Sequence, residues 1–163
     1  MNIARLSTAS FAALLVAALA GLVWATPSSG TTSMLIGPRA AFPGFKVSRR
    51  DPSSWAVKVE AKDGLHVATQ VITFAPNGKS GWHSHPGPVF ISVREGSIAF
   101  YEEDCQRTVR VAGEGFLDRG DHPHFAVNES SVPAVNVVTY FLPPDATALR
   151  IDEPSPPPMC PIE

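Results

Sequence analysis

Charge is scarce in this sequence: 17% of its 163 residues are Asp, Glu, Lys or Arg, and the formal net charge is -2. Without charge blocks or a basic excess there is no electrostatic footprint of a nucleic-acid binder, and no self-repulsion of the kind that keeps disordered chains open. Long helical stretches are missing as well, because 16 prolines and 12 glycines interrupt any run that a coiled coil would need. The run Phe11 to Trp24 is apolar and uncharged, but at 14 residues it falls short of the roughly 20 that cross a bilayer comfortably. Cysteine is down to two residues. A chain of this length suits one domain that buries its core without staples, so any bridge between them is an addition to the fold.

What is present sorts along the chain. Arg5, the apolar run and the small-residue close Val23-Trp24-Ala25 read as an export signal over residues 1–25, cleaved after Ala25, with an uncleaved anchor as the alternative. After cleavage no stable membrane anchor is expected, and the chain would be secreted or periplasmic. In an oxidising compartment Cys105 and Cys160 are expected to pair; the competing reading, a metal-binding or catalytic thiol, finds no histidine near either in sequence. Residues 26–45, rich in Ser, Thr, Gly and Pro, read as a flexible lead-in. Residues 46–142 carry the expected barrel, and residues 143–163 form a Pro-rich C-terminal tail that Cys160 would tie down.

Short extended runs dominate the middle of the chain. Strands are predicted at Trp55 to Ala61, His66 to Phe74, Val89 to Arg94, Ser97 to Tyr101, Arg107 to Val111, Gly115 to Leu117, His124 to Val127 and Ala134 to Phe141. They are rich in β-branched and aromatic residues and separated by Gly, Pro, Asn and Asp, which points to an all-β barrel or sandwich. Asn77-Gly78 and Glu95-Gly96 carry tight-turn signals.

Histidine carries the chemistry. Four of the five histidines form two His-x-His pairs, His83/His85 and His122/His124. On an extended segment residues i and i+2 share a face, so His83 and His85 can aim at one point inside a barrel, with a third imidazole arriving from another strand. Imidazole nitrogens suit zinc, copper, iron and nickel; calcium and magnesium want oxygen. The plainer alternative is that the pairs are surface histidines.

From Gly78 through His83-Ser84-His85 to Gly96 the sequence resembles the first motif of the cupin family, and from Gly113 through His124 to Asn128 it resembles the second. The resemblance implies a cupin-type double-stranded β-helix, the jelly-roll barrel, with a homodimer as the family's common assembly. It assigns His83, His85 and His124 as ligands of a divalent transition metal, iron ahead of nickel, copper, manganese or zinc. Two departures stand out: Val89 occupies the position of the family's glutamate ligand, and Arg119 and Asp121 replace the usual Pro and Gly of the second motif. Three neutral ligands alone would resemble the three-histidine cupin dioxygenases.

Nearby, His122 is a candidate fourth ligand or proton-transfer group in place of the missing glutamate, or a loop histidine held outside by Pro123. Trp82 either lines the mouth of the site or packs the wall, and Arg119 is a candidate neighbour of the metal or a solvated charge. Catalytic residues are not assigned. The expected partner is a small organic molecule, with no nucleic acid. Three readings of function stay open: a metal-dependent enzyme of dioxygenase type, a non-catalytic module that binds a small ligand or a metal, and a barrel whose histidines hold nothing.

Overall fold

The computed structural model describes residues 26–163; the expected export signal and its cleavage point lie outside them. The described residues form thirteen strands and no helix: β1 (Ser29–Leu35), β2 (Ala40–Phe42), β3 (Phe45–Arg50), β4 (Ala56–Ala61), β5 (Leu65–Lys79), β6 (His83–Ser84), β7 (Val89–Glu95), β8 (Ser97–Glu102), β9 (Arg107–Val111), β10 (Gly115–Asp118), β11 (His124–Val127), β12 (Ala134–Leu142) and β13 (Ile151–Asp152). No helix among the described residues is long and apolar enough to cross a membrane.

Eleven strands make one antiparallel sheet along the path β10-β7-β12-β5-β11-β6-β13, with β1 and β2 added on β5 and β8 joining β11 to β9; β3 and β4 form a separate hairpin. Ladders join segments far apart in sequence, as in β12 on β5, which runs from Ala134 opposite Phe74 to Leu142 opposite His66. The sheet curls into a nearly closed barrel, the all-β jelly roll that the resemblance implies.

Alternation decides which side chains enter the barrel, because successive residues of a strand face opposite ways. On β7, Val89, Ile91 and Val93 are buried while Phe90, Ser92 and Arg94 face out; on β12, Ala134, Asn136, Val138, Tyr140 and Leu142 point inward. Val89, Ile91, Val138 and Leu142 pack one part of the interior, and Phe74, Val93, Ile98 and Phe100 pack another. Burying each such side chain contributes roughly 1.5–3 kcal/mol. Asn128 closes the second part without exposure: its Nδ2 donates to the carbonyls of Phe74, Ala75 and Val132 at 3.1, 3.2 and 2.7 Å, tying the end of β11 to β5.

Two segments differ from the sequence expectation, and a third, the tail that Cys160 ties down, adds a strand to it. Residues 26–45, read as a flexible lead-in, supply β1 and β2, which pair with β5 from Ser29 opposite Lys79 to Phe42 opposite Leu65. Composition misleads there because Ser, Thr and Gly serve linkers and strands alike, and β5 has a free edge that needs partners. Asn77-Gly78, read as a turn, lies inside β5: Asn77 takes the left-handed φ of 60° and the ladder to β1 shifts register between Ser29 and Thr31, so the strand is bent and not ended. Residues 143–163 return to the barrel, where β13 pairs with β6.

Candidate metal centre

Local backbone geometry converges three imidazoles on one point. His83 on β6 stands directly opposite His124 on β11, and His85 follows two residues on, so its ring comes back to the same side. The His85 N–H donates to the Gly120 carbonyl at 2.8 Å, which ties the loop after β6 to the turn before β11. That approach requires glycine: Gly120 has φ +92°, and a Cβ there would lie 2.3 Å from the Gly87 carbonyl oxygen. The three rings are buried, with a donor atom from each within 4.8 Å of the others.

The hydrogen bonds fix which nitrogens face inward. Nδ1 of His83 lies 2.9 Å from the Gly81 carbonyl, Nδ1 of His85 lies 2.7 Å from the Leu149 carbonyl, and Nδ1 of His124 lies 3.2 Å from the His122 carbonyl. A carbonyl only accepts, so each Nδ1 carries the proton and each Nε2 keeps its lone pair for the centre. Burial holds the rings neutral. Desolvation, followed by the charge of His124, lowers His85 to about 4; desolvation likewise lowers His124 to about 4 and pushes His83 well below its ordinary value. Three neutral, tautomerically fixed imidazoles with converging lone pairs fit a divalent transition metal.

This protonation has a measurable consequence for the metal-free protein. In the unfolded chain the imidazoles titrate near 6.5, and in the fold His85 and His124 resist protons down to about 4. Between those values the unfolded state binds more protons, so stability falls as pH falls through that window, by at most roughly 3 kcal/mol for each of the two rings. Asp118 acts in the opposite sense: desolvation raises its pKa, so the cost of burying its charge fades on acidification and offsets part of the loss. The expected net result is a lower thermal midpoint at pH 4 than at pH 7, measured by calorimetry on metal-free protein. A flat profile would show that the rings are not held neutral by burial.

The rings open onto a cavity of about 540 Å³ inside the barrel. Val89, Ile91 and Val138 give it an apolar wall; Gln70, Asn136 and Tyr140 give it polar groups, with the Tyr140 hydroxyl donating to Gln70 Oε1 at 2.9 Å. Burial pushes that hydroxyl up to about 12, so it stays protonated. Arg150 adds a fixed cation to the lining, held by Nη1 donating to the Ser80 carbonyl at 3.0 Å and Nε donating to Asp152 Oδ1 at 2.7 Å.

The other sequence candidates fall elsewhere. The His122 side chain is 50% exposed and faces Glu103 and Asp121 at 3.5 and 3.6 Å, so only its backbone carbonyl serves the site, through His124. Trp82 is fully buried in the wall against Phe125, outside the cavity, with Nε1 donating to the Ile162 carbonyl at 2.7 Å. Arg119 is exposed. Cys105 and Cys160 form a disulfide, and Cys160 packs with Trp82 and Phe125.

Sequence reasoning missed Asp118, Tyr140 and Arg150. Asp118 was within reach of it: Phe116 is an inward candidate on β10, and extending the strand by one residue makes Asp118 the next inward position.

Comparison with known proteins adds a family match. Residues 70–140 match the family model of the cupin domain. No curated protein matches the chain. Among solved structures, the polyketide cyclase RemF from Streptomyces resistomycificus is 16% identical, covering 71% of this chain and 67% of its own at a TM-score of 0.48. The cupin domain of an XRE family transcriptional regulator from Enterobacter cloacae is 18% identical, covering 71% and 99% at a TM-score of 0.48. An oxalate oxidase in complex with glycolate is 28% identical over 46% of this chain and 41% of its own, at a TM-score of 0.40.

Proposed function

We propose that this cupin-fold chain is an exported metal-dependent enzyme that holds a divalent transition ion on His83, His85 and His124 and acts on a small organic molecule in the barrel. The observation that carries the reading is the fixed tautomer: three buried rings donate outward from Nδ1 to carbonyls and turn three unprotonated Nε2 atoms toward one another. Unoccupied, such a cluster buries lone pairs without partners, a cost that an ion relieves. The ion, iron first and otherwise nickel, copper, manganese or zinc, would supply Lewis acidity and, where redox-active, electron transfer to oxygen.

The chain's own residues do the rest. Val89, Ile91 and Val138 exclude water from the apolar body of a substrate, and the Tyr140–Gln70 pair presents a protonated hydroxyl to its polar end. Arg150, paired with Asp152 on the same lining, offers its remaining N–H groups to a hydrogen-bond acceptor on the substrate. Export is supported by the charge-free run ahead of Ala25 and by the disulfide, which oxidising compartments favour. A second reading, a binding module without turnover, draws on Val89, which leaves β7 without the family's carboxylate.

Two measurements separate these readings. Protein purified from the exported compartment is expected to carry close to one equivalent of a transition metal by elemental analysis, and to consume oxygen with small thiols or diketones. Metal without oxygen uptake favours the binding module. Less than about 0.2 equivalent after reconstitution removes the enzyme and leaves of the second reading only a module that binds a small ligand without metal, since a ligand site of this class binds its ion tightly.

A further inference from the structure

We infer that Asp118 is a fourth, anionic ligand of the metal centre, supplied from β10 in place of the carboxylate that β7 lacks. The inference rests on the metal-binding reading above.

Register is the first observation. Asp118 ends β10 and lies directly opposite Val89 in the β10–β7 ladder. Cross-strand neighbours in an antiparallel pair project to the same side of the sheet. A carboxylate at 118 therefore enters the barrel beside the place a carboxylate at 89 would enter, one strand over.

Contacts are the second. The Asp118 side chain is 12% exposed, and its two oxygens are treated differently. Oδ1 accepts from the Gly120 N–H at 2.8 Å, which sets the turn that leads to His124. Oδ2 has no hydrogen-bond partner among the described residues. It lies 3.2 Å from His124 Nε2 and 3.6 Å from His85 Nε2. With Nδ1 of both rings facing carbonyls, the two Nε2 atoms are acceptors, and so is a carboxylate oxygen. Three acceptors at this spacing repel one another unless something positive sits between them.

Spacing is the third. Donors bound to one ion at about 2.0–2.2 Å and spread by the angles of a tetrahedral or octahedral site lie about 3.0–3.4 Å apart. The 3.2 Å separation falls in that range and the 3.6 Å one just outside it, where an ion need only draw the oxygen in slightly. A coordinated Asp118 would also halve the net charge of a site with three neutral nitrogens.

The test uses cobalt(II) as the probe on metal-free protein, with affinity read by calorimetric titration and donor set by visible absorption. Asp118→Asn keeps an oxygen for the Gly120 N–H and removes the charge. It should leave the metal-free thermal midpoint unchanged or raised, weaken cobalt binding by more than the roughly 100-fold that a merely supporting group costs, and alter the absorption bands. Asp118→Ser, which keeps a hydroxyl acceptor for the turn, gives the same readout should the asparagine variant fail to fold. Asp118→Glu should recover part of the affinity. An unchanged spectrum in Asp118→Asn or Asp118→Ser, with affinity at or within about 100-fold of wild type, overturns the inference and leaves the three-histidine reading standing. Wild-type protein that binds no cobalt overturns the metal reading itself.

Discussion

Replacing His124 with alanine is expected to abolish metal uptake, from close to one equivalent to none detectable by elemental analysis. His124 is the one member of the cluster that comes from a second strand: its ring centroid lies 4.3 Å from that of His83 and 5.1 Å from that of His85. It also stands nearest Asp118. Without it two imidazoles of one short segment remain with the Asp118 carboxylate, which lies farther from His85 than from the missing ring, and nothing on β11 closes the site. Loss of a group that only supports a ligand costs about 10- to 100-fold in affinity, so complete loss separates a ligand from a supporter. His122→Ala provides the contrast. Its ring is half exposed and turned toward Glu103 and Asp121, and the carbonyl that His124 uses survives the substitution, so loading should be unchanged. Loss of metal in His122→Ala would mean that the ring turns inward and that the ligand set above is wrong. Far-ultraviolet circular dichroism guards against misfolding, since His124 stacks on Phe100 with centroids 5.5 Å apart.

Removing the disulfide is the second large perturbation. Cys105 and Cys160 are separated by 55 positions, and in the chain-entropy model closing a loop of that length stabilises by about 4 kcal/mol. Against a typical domain stability of roughly 5–15 kcal/mol that is a major share. Two further observations point the same way. Cys160 is fully buried with Trp82 and Phe125, so a serine there would bury a hydroxyl in an apolar setting. The Trp82 indole N–H donates to the Ile162 carbonyl, a bond that needs the tail in place. Cys105→Ser/Cys160→Ser should therefore shift the urea midpoint down by an amount equivalent to about 4 kcal/mol or more. A change under about 1 kcal/mol would mean that the tail holds to the barrel without its bridge.

How far these features were legible in the sequence follows from how each is encoded. Histidine spacing is local: His83 and His85 share a face because two positions separate them, and alternation within β7 and β12 follows from the same rule. The strands at Arg107 to Val111 and His124 to Val127 emerge with the bounds read from composition and punctuation. Asp118 escapes because its meaning is set by the residue across the ladder, Val89, and register between strands is not written in either strand alone. The lead-in escapes because β1 is stabilised by an edge of β5 that the sequence around Thr31 does not reveal. Tyr140 and Arg150 escape for a third reason: a barrel interior collects side chains from many strands, and only closure brings them together.

The bond from His85 Nδ1 to the Leu149 carbonyl bears on the order in which the molecule is built. A ribosome delivers residues 83, 85, 118 and 124 well before residue 149, yet until Leu149 and β13 return to β6, the second ring has no acceptor to set its tautomer and the wall behind His83 is absent. Asp152, paired with His83, and Cys160, joined to Cys105, arrive later still. The three-histidine cluster is therefore complete only after the end of the chain has docked. On the export and metal readings proposed above, a centre assembled in that order would take its ion from the surroundings in which its C-terminal segment folds, so the metals available outside the cytoplasm, more than the relative affinities of three imidazoles, would decide which one it carries.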